Sequence, residues 1–478
     1  MLRPIGAMVL VIVATVSAAA QGPPIKFEPT TVDVEGIGKV TAELGRLSVL
    51  EDRTKPQGRR IELVFARLKS TAATPGAPIV YLDGGPGGSG IGIARVPEYY
   101  RLFDGMRAVG DVILLSQRGT GFSSPRLACR GDGTPVPLDL FRSADRMAEV
   151  LGPRAVACAA ELRAKGIDLA AYNTLASADD LEDLRLALGV PKISLLGFSY
   201  GTHLGLAAAR RHPGSIDRLI LAGTEGPDDS QKLPHTYDLQ LARLAALEAR
   251  SPQAPKSGLV EATRALIERL RASPILVEVK LPGQAAASSL TIGAEGLQYL
   301  LRRDIGDTND TANLITLIRD ASRGDYGMLA RFAGRRFTEF AGGSALMGTA
   351  MDCASGVSAE RLAAINREVA GSLLGRMTNY PFPDICELLN VPALPAEYRA
   401  PFASTLPALF ISGSLDSNTP PYQAEKVRWG FPASIHVIVE DAGHESTLPL
   451  PEVQKLIVEF LMGGDVSGRR VVAPSPLK

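Results

Sequence analysis

The chain has 478 residues, 45% of them hydrophobic and 21% charged, with 51 basic and 51 acidic side chains that cancel. This is ordinary globular composition, with length enough for a large core. With balanced charge and no long basic run, nothing electrostatic points to nucleic acid or an anionic membrane, so neither is an expected partner.

The amino terminus combines Arg3, an apolar run from Ile5 to Val16, and Ala18-Ala19-Ala20 ahead of Gln21. That arrangement reads as a secretory signal peptide over residues 1–20. The run is shorter than the roughly 20 residues that span a bilayer, and no later segment reads as transmembrane. The expectation is a mature chain secreted or periplasmic; an uncleaved anchor is the alternative. Cysteines number four: Cys129, Cys158, Cys353 and Cys386. An even count in an exported chain favours disulfides. Chain order and loop length favour Cys129–Cys158 and Cys353–Cys386 among three possible pairings.

From Phe27 to about Lys69 apolar and polar residues alternate, as antiparallel strands do. The pattern then changes to continuous apolar runs: Pro78 to Leu82, Val112 to Leu115, Lys192 to Leu196, Leu219 to Ala222 and Ala408 to Ile411. Runs without alternation suggest strands of a parallel sheet buried on both faces. Helices are expected between them: Ser177 to Leu188 with Ser177 as N-cap and Gly189 at its end, and Thr202 to Arg211 stopping at His212-Pro213. Gln423 to Trp429 and Pro451 to Met462 follow later. Between Asp229 and Ala403, Ala, Leu and Arg recur at helical spacing, interrupted by a hairpin pattern from Ile275 to Leu290 that turns at Pro282-Gly283. The strand–helix pattern resumes near Leu406. The expected architecture is α/β: a mostly parallel central sheet with helices on both faces in two core parts, 21–228 and 404–478, and an inserted, mostly helical cap over 229–403. A separate domain in series is the alternative.

Gly197-Phe198-Ser199-Tyr200-Gly201 matches G-x-S-x-G, between a buried-type strand and a helix. In that context the glycines admit a strained strand-to-helix turn that exposes the serine hydroxyl. A serine hydroxyl needs a general base. Of the five histidines, His203 and His212 lie on or at the end of the following helix, His235 in the insertion and His436 within a strand. His444 remains, in a loop past the last strand. An orienting carboxylate follows the strand Ala408 to Ile411 at Asp416, with Asp441 as a rival too close to His444 to position it easily. The order Ser199, Asp416, His444 is that of α/β-hydrolases. Oxyanion donors are expected from the Tyr200 backbone N–H and from the loop Asp83-Gly84-Gly85-Pro86-Gly87-Gly88-Ser89-Gly90. Gly85 is the chosen donor there, with Gly84 and Gly87 as alternatives.

Taken together, Gly84 to Gly90, Gln117-Arg118-Gly119-Thr120-Gly121-Phe122-Ser123, the Ser199 elbow, Gly413-x-x-Asp416-x-x-Thr419-Pro420 and Gly443-His444 resemble the proline iminopeptidase and tripeptidyl aminopeptidase branch of the α/β-hydrolase superfamily. The cysteines and the block around Asp416 look more like its exported, tripeptidyl-type members. Two positions depart from the branch's pattern: Asp83 stands where a His precedes Gly-Gly-Pro-Gly, and Ser116 where an Asp precedes Gln-Arg-Gly. The resemblance implies release of residues from a free peptide N-terminus, hence short peptides as substrates. It also implies a carboxylate that pairs with the substrate ammonium. Glu225 is the first candidate for that role, ahead of Asp352, Asp384 and Glu387.

The resulting expectation is a serine aminopeptidase working through an acyl-enzyme, without metal or organic cofactor. An esterase or amidase for small acyl substrates would share the triad. A binding or scaffold protein that kept a hydrolase fold is the non-enzyme alternative. Oligomeric state is not legible in the sequence.

Overall fold

The computed structural model describes residues 25–477 apart from 132, 251–257, 285 and 307–309. The expected signal peptide lies outside the described residues. The alternating amino-terminal stretch forms an antiparallel meander of β1 (Glu28–Val34), β2 (Gly38–Leu50) and β3 (Arg60–Leu68). In β2, Leu47 and Val49 are buried while Arg46 and Ser48 face solvent. That is the signature of a strand wet on one side.

The continuous apolar runs become β4 (Ile79–Leu82), β5 (Val112–Ser116), β7 (Ile193–Phe198), β8 (Ile216–Ala222) and β12 (Ala408–Gly413). With β13 (Ser434–Glu440) and β14 (Val471–Val472) they complete one ten-stranded sheet, ordered β1-β2-β3-β5-β4-β7-β8-β12-β13-β14. From β5 to β14 every pairing is parallel. Period-two geometry sends alternate side chains to opposite faces. Val80, Leu82, Leu195 and Phe410 join one buried cluster; Ile79, Tyr81, Leu196 and Ile411 join the other.

Helices seal both faces. After the single turn α1 (Gly90–Ile93), α2 (Pro97–Met106) covers one face through Leu102, Phe103 and Met106. The other face is covered by α3 (Ala144–Ala164), α4 (Thr174–Leu188) and α5 (Tyr200–Arg211). One expectation is corrected here and one omission filled. Helix α4 starts three residues before Ser177: the Asn173 side chain accepts from Ala176 N at 2.9 Å, and Ser177 N already donates to Asn173 O at 3.0 Å. Ser177 is therefore a buried residue inside the helix. The other concerns α3, which the sequence reading passes over. Its Ser143 cap accepts from Arg146 N at 3.1 Å.

Between β8 and β12 the chain leaves the sheet and returns. It runs through α6 (His235–Glu248), α7 (Leu259–Ala272), the antiparallel hairpin β9 (Ile275–Val279) and β10 (Ser288–Ile292), then α8 (Ala294–Asp304), α9 (Thr311–Ser322) and α10 (Gly327–Ala341). These elements share a third buried cluster, which also takes in Leu140, Phe141 and Met147 from ahead of and within α3. Next come α11 (Met347–Ser355), α12 (Ala359–Val369) and α13 (Asp384–Leu389). Residues of α11 and α13, including Met351 and Leu389, pack into the cluster on the sheet instead. Helices α14 (Pro421–Arg428) and α15 (Pro451–Leu461) close the core. Two short strands, β6 (Ala128–Cys129) and β11 (Ser344–Ala345), pair antiparallel. Disulfides join Cys129 to Cys158 and Cys353 to Cys386, leaving no free cysteine among the described residues. No described helix is long and apolar enough to cross a membrane.

Candidate active site

Ser199 follows the β7 strand and precedes α5 with φ 53° and ψ −123°. A non-glycine residue at such an angle is strained and has to be held by its surroundings. The glycines on either side permit it. A Cβ on Gly201 would lie 1.9 Å from Leu82 O, and one on Gly197 would lie 2.5 Å from Gly201 O. The turn lifts the hydroxyl out of the sheet at its carboxyl edge.

Two loops from later strands meet it there. His444, past β13, places Nε2 2.9 Å from Ser199 Oγ. Its Nδ1 lies 2.8 Å from Asp416 Oδ2, on the loop after β12. Asp416 is itself held on both oxygens: Oδ1 accepts from Asn418 N (2.8 Å) and Thr419 N (2.9 Å), and Oδ2 from Thr419 Oγ1 (2.7 Å). Phe198 lies against the imidazole with centroids 5.0 Å apart, and His444 N donates to Gly306 O, past α8, at 2.9 Å. Burial opposes a charged imidazole, but adjacent Asp416 outweighs it and holds His444 above its ordinary value. Burial likewise opposes the Asp416 carboxylate, yet His444 and the Thr419 donors hold it below the usual range.

The other histidines are engaged elsewhere. His203 sits between Gly226 O, Tyr398 OH and Ser355 Oγ. His212 meets Asp179 at 2.8 Å, His235 meets Glu368 at 2.9 Å, and His436 lies between Glu425 and Ser412. Asp441, the rival carboxylate, has φ 58° and donates its N–H to Ser414 Oγ in the turn before His444.

The loop after β4 passes beside the nucleophile. A Cβ on Gly84 would sit 2.8 Å from Ser199 Cβ, so only glycine fits. Gly84 N donates to Asp83 Oδ1 at 2.9 Å. Gly85 follows with φ 116°, in the left-handed region that favours glycine. Asp83 braces the loop further, accepting from Tyr81 OH at 3.1 Å, while its carbonyl receives Gln117 Nε2 at 3.0 Å. The Gln-Arg-Gly stretch is thus a support for this loop. Arg118 is wholly buried and forks onto Asp180 with two 2.7 Å contacts, while donating to Glu51 O and Ala171 O. Ser116 and Ser89 share a 2.8 Å hydroxyl contact.

A cavity of about 1010 Å³ opens over Ser199 and His444. Glu225, Asp352 and Asp384 line it; Glu387 is not among its lining residues. Glu225 already has a partner. Lys232 Nζ lies 2.5 Å from its Oε2 and also donates to Asp229 O at 2.8 Å. Lys232 carries no motif signal; only the fold of the loop between β8 and α6 brings it to Glu225. Among the described residues no cluster of three or more His, Cys, Asp or Glu is placed to hold a metal.

Comparison with known proteins bears on the fold. Residues 77–263 match the family model described as alpha/beta hydrolase fold, and residues 374–472 the one described as TAP-like protein. The chain belongs to the α/β-hydrolase superfamily. Within that superfamily the TAP-like match and the relatives below make it similar to the tripeptidyl aminopeptidase and proline iminopeptidase branch. It is similar to the tripeptidyl aminopeptidase of Streptomyces lividans, 31% identical over 197 residues that cover 39% of this chain and 36% of that one. The serine protease Hip1 of Mycobacterium tuberculosis is 30% identical over 190 residues, covering 38% and 36%. The chain thus spans little more than a third of the length of these curated relatives. Among solved structures, the proline iminopeptidase of Mycobacterium smegmatis aligns with 87% of this α/β-hydrolase chain and 98% of its own, at 16% identity and a TM-score of 0.39.

Proposed function

We propose that this chain is an exported serine aminopeptidase that releases amino-terminal residues or short peptides through an acyl-enzyme. The observation that carries the hydrolase reading is the continuous line Asp416–His444–Ser199, with contacts of 2.8 and 2.9 Å, facing the cavity under the elements inserted between β8 and β12. Resemblance to peptidases supports the aminopeptidase reading over an esterase. Two disulfides favour an oxidising compartment, secreted or periplasmic. Residues 229–403 act as the cap that bounds substrate length.

In this mechanism Ser199 Oγ attacks the scissile carbonyl while His444 Nε2 takes its proton. The carbonyl oxygen becomes an oxyanion received by the N–H groups of Tyr200 and Gly85. Collapse breaks the C–N bond, and His444 returns its proton to the departing amine. Water then attacks the Ser199 ester, His444 again accepting a proton, and the acid leaves with Ser199 restored. Asp416 keeps Nδ1 protonated throughout and stabilises the imidazolium.

The test is a matched panel: free and N-acetylated Pro, Ala and Ala-Ala-Pro amides with a chromogenic leaving group, plus a butyrate ester. Turnover confined to free-N-terminus amides is expected. Turnover of the ester alone would move the assignment to an esterase and leave the triad standing.

A further inference from the structure

Given an aminopeptidase, one carboxylate must receive the substrate's ammonium group; of the candidates lining the cavity Asp384 is exposed, which leaves Glu225 and Asp352. Glu225 is buried and neutralised by Lys232 at 2.5 Å, with Ser230 Oγ 3.4 Å from its other oxygen. Asp352 projects from α11 into the same cavity, and its carboxylate has no ion-pair or hydrogen-bond partner among the described residues. Arg302, the other cation within electrostatic reach of Asp352, gives its Nε to Thr378 O at 3.0 Å and lies over the Tyr237 ring. Lys232 is committed to Glu225, so Asp352 is left without a cation of its own. Burial, with Glu225 adding to it, pushes the Asp352 carboxyl well above the usual range, a cost that a bound cation would offset.

The location of Asp352 sets the distance to the chemistry. A Cβ on Gly348, near the start of α11, would lie 2.8 Å from Pro86 O of the oxyanion loop. Met351 Sδ lies 3.2 Å from Tyr200 OH. Asp352 follows Gly348 by four residues, on the same helix face and about 6 Å along the axis. An extended peptide advances about 3.3–3.6 Å per residue. The Cys353–Cys386 disulfide pins this end of α11 to α13. We propose that Asp352, not Glu225, binds the substrate α-ammonium group, and that the site takes unblocked peptides whose amino terminus lies one or two residues before the scissile bond.

The experiment compares Ala, Ala-Ala and Ala-Ala-Ala para-nitroanilides, each free and N-acetylated, with wild type, D352N and D352E. Fluorophosphonate labelling counts the active sites in each preparation. Wild type is expected to prefer free over acetylated substrates, with the largest preference at one or two residues. D352N should lose about 10- to 100-fold in kcat/KM on free substrates, the size of a charge-assisted contact, and change acetylated substrates by less than about threefold. D352E should recover part of the preference. If D352N does not accumulate as folded protein, D352S makes the same comparison. An undiminished preference in the Asp352 variants, or an equal loss on both substrate sets, overturns the assignment and leaves the aminopeptidase standing. A wild type without preference overturns the aminopeptidase reading itself, and a largest preference at three residues overturns the stated span.

Discussion

The chemistry proposed for this chain reduces to three side chains whose protonation states are set by their neighbours. Replacing Ser199 by Ala should cost up to about a millionfold in turnover, the scale of the handling of a serine nucleophile by a triad; an active-site-counted kcat measures it, and a merely tenfold loss would place the nucleophile elsewhere. The base must be neutral to accept the serine proton. Because Asp416 holds His444 above its ordinary value, kcat/KM should rise with pH through a midpoint above about 6.5. A pH profile flat from pH 5 to 8 would remove His444 from the mechanism. D416N removes the charge that raises the imidazole and presents the wrong donor to Nδ1, so a loss of about 10⁴ in kcat is expected.

Elements rather than single residues make the elbow and its brace. At Gly201 the strand β4 passes so close that a methyl group would overlap Leu82 O at 1.9 Å. Gly201→Ala should therefore abolish fluorophosphonate labelling even where the protein stays folded by circular dichroism. Arg118 is the opposite case, a residue of a motif whose work is structural. It ties the loop after β5 to α4 through Asp180 and to the backbone of Glu51 and Ala171. Arg118→Met removes one of the two guanidinium groups on the buried Asp180, leaving Arg53 Nη2 at 2.6 Å, and takes a donor from Glu51 O and Ala171 O, at a cost of about 1–3 kcal/mol in urea unfolding. The elements also mark how far the sequence can be read. Ser199, Asp416 and His444 stand out because strand ends are visible as apolar runs, and a loop just past such a run must lie at the sheet's carboxyl edge. Few histidines compete for that edge. The start of α4 is harder to read because Asn173 and Ser177 are both good N-caps, and only the hydrogen bond from Ala176 N chooses between them. Glu225 reads as a free acid until the chain folds, since its partner Lys232 is an unremarkable residue seven positions away in a loop.

For the whole molecule, the proposed mechanism takes its nucleophile, base and orienting carboxylate from loops at the sheet's carboxyl edge and assigns substrate access to the inserted helices. Gly306 of the inserted segment accepts from His444 N, and α11 meets the loop after β4 at Gly348 and carries Cys353 of the Cys353–Cys386 bridge. That bridge closes a sequence separation of 33 residues, worth about 3–4 kcal/mol by loop-closure entropy. Replacing both cysteines by Ser should lower Tm in calorimetry and weaken discrimination among amides more than turnover of a small ester. The fold class, its two-faced sheet and the presence of an inserted segment are legible from the hydrophobic pattern. The path of that segment is not, because its helices are amphipathic toward one another, and several packings satisfy the same periodicity.

The most direct measurement is to label the purified protein with a fluorophosphonate and locate the adduct by peptide mass spectrometry. The account predicts stoichiometric modification at Ser199, abolished in His444→Ala. Modification at another serine, or none in a folded and monodisperse preparation, would contradict it.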